Sequence, residues 1–247
     1  MLKGLQKKLK WLDPFTYVDR LVMPAVNPSN NGIVSWLVYI VFSFVFAWLL
    51  YSGLGFLLGT ASPIVVVVSP SMEPVYFRGD AIVLAKATPE SISAEEVFLD
   101  AKSLRNTFFS EIGKIEFEGY QAKTISFLDS SKIPVKKDGS IVVYFSQWRS
   151  QPIIHRAVAK IHAGDGVYVL TKGDSLNNST IDQDCGRIAS GMPEKDCITL
   201  YPLQVSELQG QALLRIPVVG CIKLWVLDNT LSLLQERRLP QYFNGIC

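Results

Sequence analysis

The stretch Ile153-Ile154-His155-Arg156-Ala157-Val158-Ala159-Lys160-Ile161-His162-Ala163-Gly164-Asp165-Gly166-Val167-Tyr168-Val169-Leu170-Thr171-Lys172-Gly173-Asp174 decides the fold class. Two runs rich in β-branched and aromatic residues, Ile153–Ile161 and Val167–Leu170, flank Ala163-Gly164-Asp165-Gly166, which is turn chemistry. Residues 153–171 therefore predict a β-hairpin. Strand alternation puts His155 on the face opposite Arg156, clear of its charge. Working outward, Ile64–Val68, Ala81–Leu84 and Ile141–Phe145 carry the same strand signature between Gly, Pro, Asp and Ser. The fold class expected is mostly β. One region breaks the pattern: Ser93 and Glu96 have capping-box spacing, and Val97, Ala101, Leu104 and Phe108 fall on one helical face. Residues 88–128 are accordingly expected to form a small α/β insert with a helix in it.

The N-terminal quarter has another character. After Arg20 the next charged side chain is Glu73, a gap of 52 residues in a chain that is 19% charged overall. Within the gap, Ile33–Leu58 is a 26-residue run whose clearly polar members are Ser35, Ser43 and Ser52. About 20 residues suffice to cross the hydrocarbon core, so a transmembrane helix is expected over 32–59. A cleaved signal peptide is the alternative, but this run exceeds its usual apolar length of ~7–15 residues. Lys3, Lys7, Lys8, Lys10 and Arg20 precede the helix, and no Lys or Arg follows it until Arg78. The basic-side rule then makes residues 1–31 cytoplasmic and everything after residue 60 extracytoplasmic, in a cell membrane crossed once. Leu2, Leu5, Leu9 and Leu12, with lysines between them, have the spacing of a helix lying on the inner lipid surface, or are simply a basic flank. Residues 21–247 carry 19 basic and 20 acidic side chains, so a nucleic-acid partner has no electrostatic basis.

Three segments carry candidate chemistry. Ser69-Pro70-Ser71-Met72-Glu73-Pro74 follows a strand that starts a few residues beyond the expected membrane helix, which would keep a serine close to the bilayer. The chain has two histidines, His155 and His162, so a histidine base must be one of them. His162 closes a strand beside a turn and is the weaker candidate. The third segment, Thr171-Lys172-Gly173-Asp174 followed by a polar loop to Asp182 and Asp184, offers carboxylates. Together these segments resemble the type I signal peptidase family in its histidine-containing branch, found in archaea and the endoplasmic reticulum. The resemblance rests on Ser71-Met72-Glu73-Pro74 with Arg78-Gly79-Asp80, His155-Arg156, and Thr171-Lys172-Gly173-Asp174 with Asp182. A looser match is Arg215-Ile216-Pro217-Val218-Val219-Gly220. It covers roughly residues 60–225, leaving out the 88–128 insert.

What the resemblance implies is a signal-peptidase-type β domain, residues 60–227, with a tail at 228–247. Ser71 would be the nucleophile, His155 the general base, an acidic residue of the third motif the orienter, and Ser69 an oxyanion donor. Its substrates would be secretory preproteins with small residues at −1 and −3. Among Asp174, Asp182 and Asp184, Asp182 is favoured as orienter and Asp174 for a supporting role in its turn. Physical chemistry asks for the same cast, because a serine hydroxyl needs a base to take its proton and the base needs a group to fix its tautomer. The alternative reading is a non-catalytic membrane-anchored β domain that binds preproteins within a processing complex. No cofactor is called for, and a zinc site is not expected, since no C-x-x-C pair exists and neither histidine has a ligand neighbour. Cys185 and Cys197 enclose a segment on the expected outer side, where a disulfide and a pair of free thiols are both open readings.

Overall fold

The computed structural model describes residues 13–146, 152–185 and 197–226. The first dozen residues and the tail 228–247 lie outside them. The chain divides at Leu57–Leu58 into two compact units. In the first, short helical turns between Pro14 and Val26 precede one continuous helix, Gly32–Leu58. The Asn27 carboxamide ties its start, donating to Asn31 O and Ser35 Oγ, both at 2.8 Å. This is the one helix among the described residues long and apolar enough to cross a membrane; its Tyr39 and Phe42 rings meet Phe15 of the preceding turn, and none of its apolar window is buried.

The second unit is built on a strand order β1-β2-β11-β7-β8-β9-β10. The strands are β1 (Ile64–Val66), β2 (Ala81–Ala85), β3 (Glu95–Phe98), β4 (Gly113–Glu118), β5 (Gln121–Phe127), β6 (Lys132–Pro134), β7 (Ile141–Phe145), β8 (Pro152–Ala163), β9 (Gly166–Lys172), β10 (Leu203–Gln204) and β11 (Gly210–Ile216). The hairpin is the expected one, with Ala163 opposite Gly166 and Arg156 opposite Lys172. Strand β8 is long enough to use one edge twice. Its first half pairs antiparallel with β7, and its second half pairs parallel with β3. Alternation then sorts the core. Leu170, Ile161 and Val97 face the three-stranded sheet β4-β5-β6 through Ile125, Phe127 and Ile133, while Val142, Tyr144, Ala157 and Val169 form a second cluster with Ile92 and Val205.

The helix expected around Ser93–Phe108 is absent. Glu95–Phe98 is β3, and among the described residues of the insert the helical turn is Phe109–Ile112. The reason is non-local. Ser93 N donates to Ser140 Oγ at 2.9 Å and Ser93 O accepts from Ser140 N, so Ser93 is bound across the fold rather than capping a helix. Glu96 reaches Lys160 Nζ at 2.6 Å and His162 Nε2 at 3.3 Å instead of turning back to Ser93. Val97 is buried opposite Ile161, and the free edge of β8 takes up the β3 backbone. The small sheet of this region also runs on to Pro134, past residue 128.

Ile161 is wholly buried where β3, β8 and the small sheet meet. Ile161→Ala is expected to lose about 2–5 kcal/mol, the cost of a methylene deficit plus a cavity, read as a shifted midpoint in urea unfolding.

Candidate active site

The site is built at the open end of the β8–β9 hairpin, opposite its turn. His155 lies opposite Val142 on β8 and is 2% exposed, on the face that carries Tyr144 and Ala157. The chain leaving β9 returns to it: Asp182 N donates to Thr171 O at 2.8 Å, and Asp182 O accepts from Ile198 N and Thr199 N at 3.0 and 3.1 Å. Cys185 and Cys197 are disulfide-bonded with Cα atoms 4.9 Å apart, joining the two backbones that hold Asp182. The result is that Asp182 Oδ2 lies 2.7 Å from His155 Nδ1 and accepts from Tyr144 Oη at 2.8 Å, with all three side chains buried. Burial pushes the Asp182 carboxyl up, but the His155 charge and the hydrogen bonds from His155, Thr171 and Tyr144 outweigh it and hold it below its ordinary value. An ionised carboxylate only accepts, so His155 Nδ1 carries the proton and Nε2 keeps its lone pair.

The other two carboxylates do other work. Asp174 takes a two-point fork from Arg156, Nε to Oδ1 at 2.8 Å and Nη2 to Oδ2 at 2.6 Å, on the opposite face of β8 from His155. Arg156 Nη1 also donates to Gly139 O at 2.6 Å, so the guanidinium is satisfied although buried. Asp184 accepts from Thr180 Oγ1 at 2.7 Å within its own loop. His162 stacks on Phe98 with ring centres 4.3 Å apart, beside Glu96, and takes no part in the cluster.

Ser71 sits in the short helical turn Pro70–Met72, which packs against β8. Ser69 before it is extended, Pro70 opens the turn where a missing N–H costs nothing, and Met72 is fully buried as its anchor. Ser71 Oγ and Ser69 Oγ are 3.1 Å apart. The carbonyl of Ser71 is clamped by the loop after β9, accepting from Ser175 N at 2.9 Å and from Asn178 Nδ2 at 3.0 Å. That loop approaches so closely that a Cβ on Gly173 would fall 1.7 Å from Asn178 Nδ2 and 2.7 Å from Ser71 O. Behind the turn, Asp80 accepts from Phe77 N at 2.8 Å and pairs with Arg215 Nε at 2.7 Å. Gly220 N donates to Gly79 O at 2.8 Å, an approach that a side chain on Gly220 would block. The Arg78-Gly79-Asp80 and Arg215–Gly220 segments are thus one contact.

Ser69, Ser71, His155, Asp174 and Asp182, the residues singled out from the sequence, are all found at this end of the hairpin. Tyr144 and Asn178 were not anticipated. Tyr144 is two residues along β7 from Val142, the partner of His155, so strand register is the signal that points to it. Asn178 reads in sequence as one more loop residue.

Asp174→Ala strands the Arg156 guanidinium and is expected to cost about 3–5 kcal/mol in thermal or urea unfolding. Gly173→Ala is expected to displace Asn178 and the Ser71 carbonyl, and so to change function more than stability. For Asp182, a carboxyl titrating lower in the folded than in the unfolded chain stabilises fully above its ordinary value of 3.8. That contribution is lost as pH falls through the lower folded value, and Asp182→Asn should remove this part of the acid sensitivity.

No family model matches the chain. It is 27% identical over 190 residues to the signal peptidase complex catalytic subunit of Scheffersomyces stipitis, a span of 77% of this chain and 81% of that protein. Against the signal peptidase complex catalytic subunit of Saccharomyces cerevisiae the identity is 26% over 195 residues, 78% of this chain and 83% of the relative. With its motifs brought together in one site, the chain is similar over most of its length to these signal peptidase catalytic subunits, which belong to the type I signal peptidase family in its archaeal and endoplasmic-reticulum branch.

Proposed function

We propose that the chain is a membrane-anchored serine endopeptidase that removes signal peptides from secretory preproteins, with Ser71 as nucleophile, His155 as general base, Asp182 as the carboxylate that orients it and Ser69 as an oxyanion donor. The observation that carries this reading is the buried His155–Asp182 pair on the strand against which the Ser69–Ser71 turn packs. Ser71 Oγ attacks the scissile carbonyl and passes its proton to His155 Nε2. The oxyanion is received by the Ser71 N–H and the Ser69 hydroxyl. Collapse expels the new N-terminus of the mature protein, which takes the proton from His155, and water then hydrolyses the acyl-enzyme with His155 again as base. In the free enzyme Ser71 Oγ is 3.1 Å from Ser69 Oγ, and its hydrogen bond to His155 Nε2 forms when substrate displaces that contact. Arg156 and Asp174 have no step in the chemistry and hold β8 to the loop that clamps Ser71. The preferred substrates carry small residues at −1 and −3. The N-terminus is cytoplasmic and the β domain lies outside, so that the site meets a substrate just beyond its own inserted segment.

Purified full chain in detergent, assayed on a preprotein, tests the reading. Ser71→Ala and His155→Ala should each lower the rate by on the order of 10⁶ while remaining folded. Asp182→Asn should lower turnover by up to about 10⁴, and Ser69→Ala by roughly 10²–10³. A rate within tenfold of wild type in either Ser71→Ala or His155→Ala overturns the mechanism. Protease added to intact cells should digest the β domain and spare it in inverted vesicles.

A further inference from the structure

We propose that Tyr144 is a positioning residue for His155: its buried hydroxyl donates to Asp182 Oδ2, the same oxygen that His155 Nδ1 faces, and sets how tightly that carboxylate holds the imidazole. The inference rests on the reading of His155 as general base and Asp182 as its orienter. Tyr144 Oη is 2.8 Å from Asp182 Oδ2, and His155 Nδ1 is 2.7 Å from the same atom. An ionised carboxylate only accepts, so the Tyr144 hydroxyl donates to Asp182. Thr171 Oγ1, which accepts from Gln183 Nε2 at 3.2 Å, lies 3.3 Å from Tyr144 Oη and backs that hydroxyl. Burial, reinforced by the Asp182 charge, raises the Tyr144 hydroxyl well above its ordinary value, so it stays protonated wherever the enzyme works.

Two donors on one carboxylate oxygen compete for its charge. With Tyr144 in place, Asp182 is stabilised as an anion independently of His155, and its pull on the imidazolium is moderated. Removing the hydroxyl leaves His155 as the side chain that must neutralise Asp182, so the imidazole binds its second proton more firmly. The other charged groups around this cluster do not substitute for Tyr144. Lys172 on β9 acts on Asp182 only through space, and Arg156 and Asp174 are paired with each other on the reverse face of β8.

Tyr144→Phe keeps the ring and deletes the donor. In the full chain, the acid limb of the kcat/KM profile is expected to move up by roughly half a pH unit and kcat to fall by about tenfold, with KM unchanged. The midpoint of the His155 imidazole, followed by NMR on histidine-labelled protein and assigned with His162→Gln, should move up by the same amount. In an Asp182→Asn background, Tyr144→Phe should leave that midpoint where it is. Thr171→Val controls for loosened packing, and is expected to change unfolding more than it moves the midpoint. An active Tyr144→Phe enzyme whose limb and midpoint stay at the wild-type values overturns the inference and leaves the proposed function standing. So does an equal midpoint shift with and without the Asp182 carboxylate. Full activity in Ser71→Ala would instead sink the proposed function, while the NMR midpoints would still decide whether Tyr144 acts on His155 through Asp182.

Discussion

Taking the Asp182 carboxylate out of water costs several kcal/mol unless the protein supplies donors in its place, and the second unit is arranged around supplying them. The donors come from two separated parts of the chain, His155 on β8 and Tyr144 on β7, and the loop after β9 returns Asp182 to them by donating Asp182 N to Thr171 O. None can be moved by a single strand register without losing the others, because a slip by one residue turns every side chain of a strand to the other face. The disulfide between Cys185 and Cys197 adds a covalent tie where the backbone of Asp182 accepts from Ile198 and Thr199. The His155–Asp182 pair is therefore held by the sheet, and the sheet is held in register partly by the cost of leaving the buried carboxylate unmet.

The proposed nucleophile is held by a different principle. Ser71 lies in a turn rather than a strand, and a three-residue turn has little stability of its own. It is fixed from three sides: Met72 buried below, the Ser175 and Asn178 donors on its carbonyl, and the Asp80–Arg215 pair behind the following loop. Two of these supports come from segments more than 100 residues later in the chain. Mobility of the turn would otherwise scatter Ser71 Oγ over ångströms, where a near-attack geometry tolerates far less.

Much of this was legible in the sequence because the hairpin from Ile153 to Lys172 carries its own turn and its own alternation, and local signals decide such an element. The apolar helix Gly32–Leu58 was legible for the same reason, its length and composition being local facts. The stretch after Ser93 misled, because a capping-box spacing is a local promise that β8 and Ser140 outbid with partners some 47 to 66 positions away. Asp174, Asp182 and Asp184 were close to interchangeable in sequence, since spacing along a polar loop does not say which carboxylate folds back. What separates them is that Thr171 O captures Asp182 N, while Arg156 captures Asp174. Tyr144 was silent because a tyrosine in a strand reads as packing, and its hydroxyl gains a role only from a partner 38 residues on.

The order His155-Arg156 gains a physical meaning from this arrangement. Adjacent strand residues point to opposite faces, so two buried carboxylate contacts, His155–Asp182 and Arg156–Asp174, share one strand while the sheet keeps them apart. Had the arginine been one position further along, it would share the face of His155, and a permanent cation beside the imidazole would depress its ability to take a proton. Asp174, fully engaged by the guanidinium fork, is equally unable to compete for the imidazole. One carboxylate is thus committed to keeping the loop on the Ser71 turn and the other to holding the His155 imidazole. The alternation of a single β-strand keeps the two duties separate.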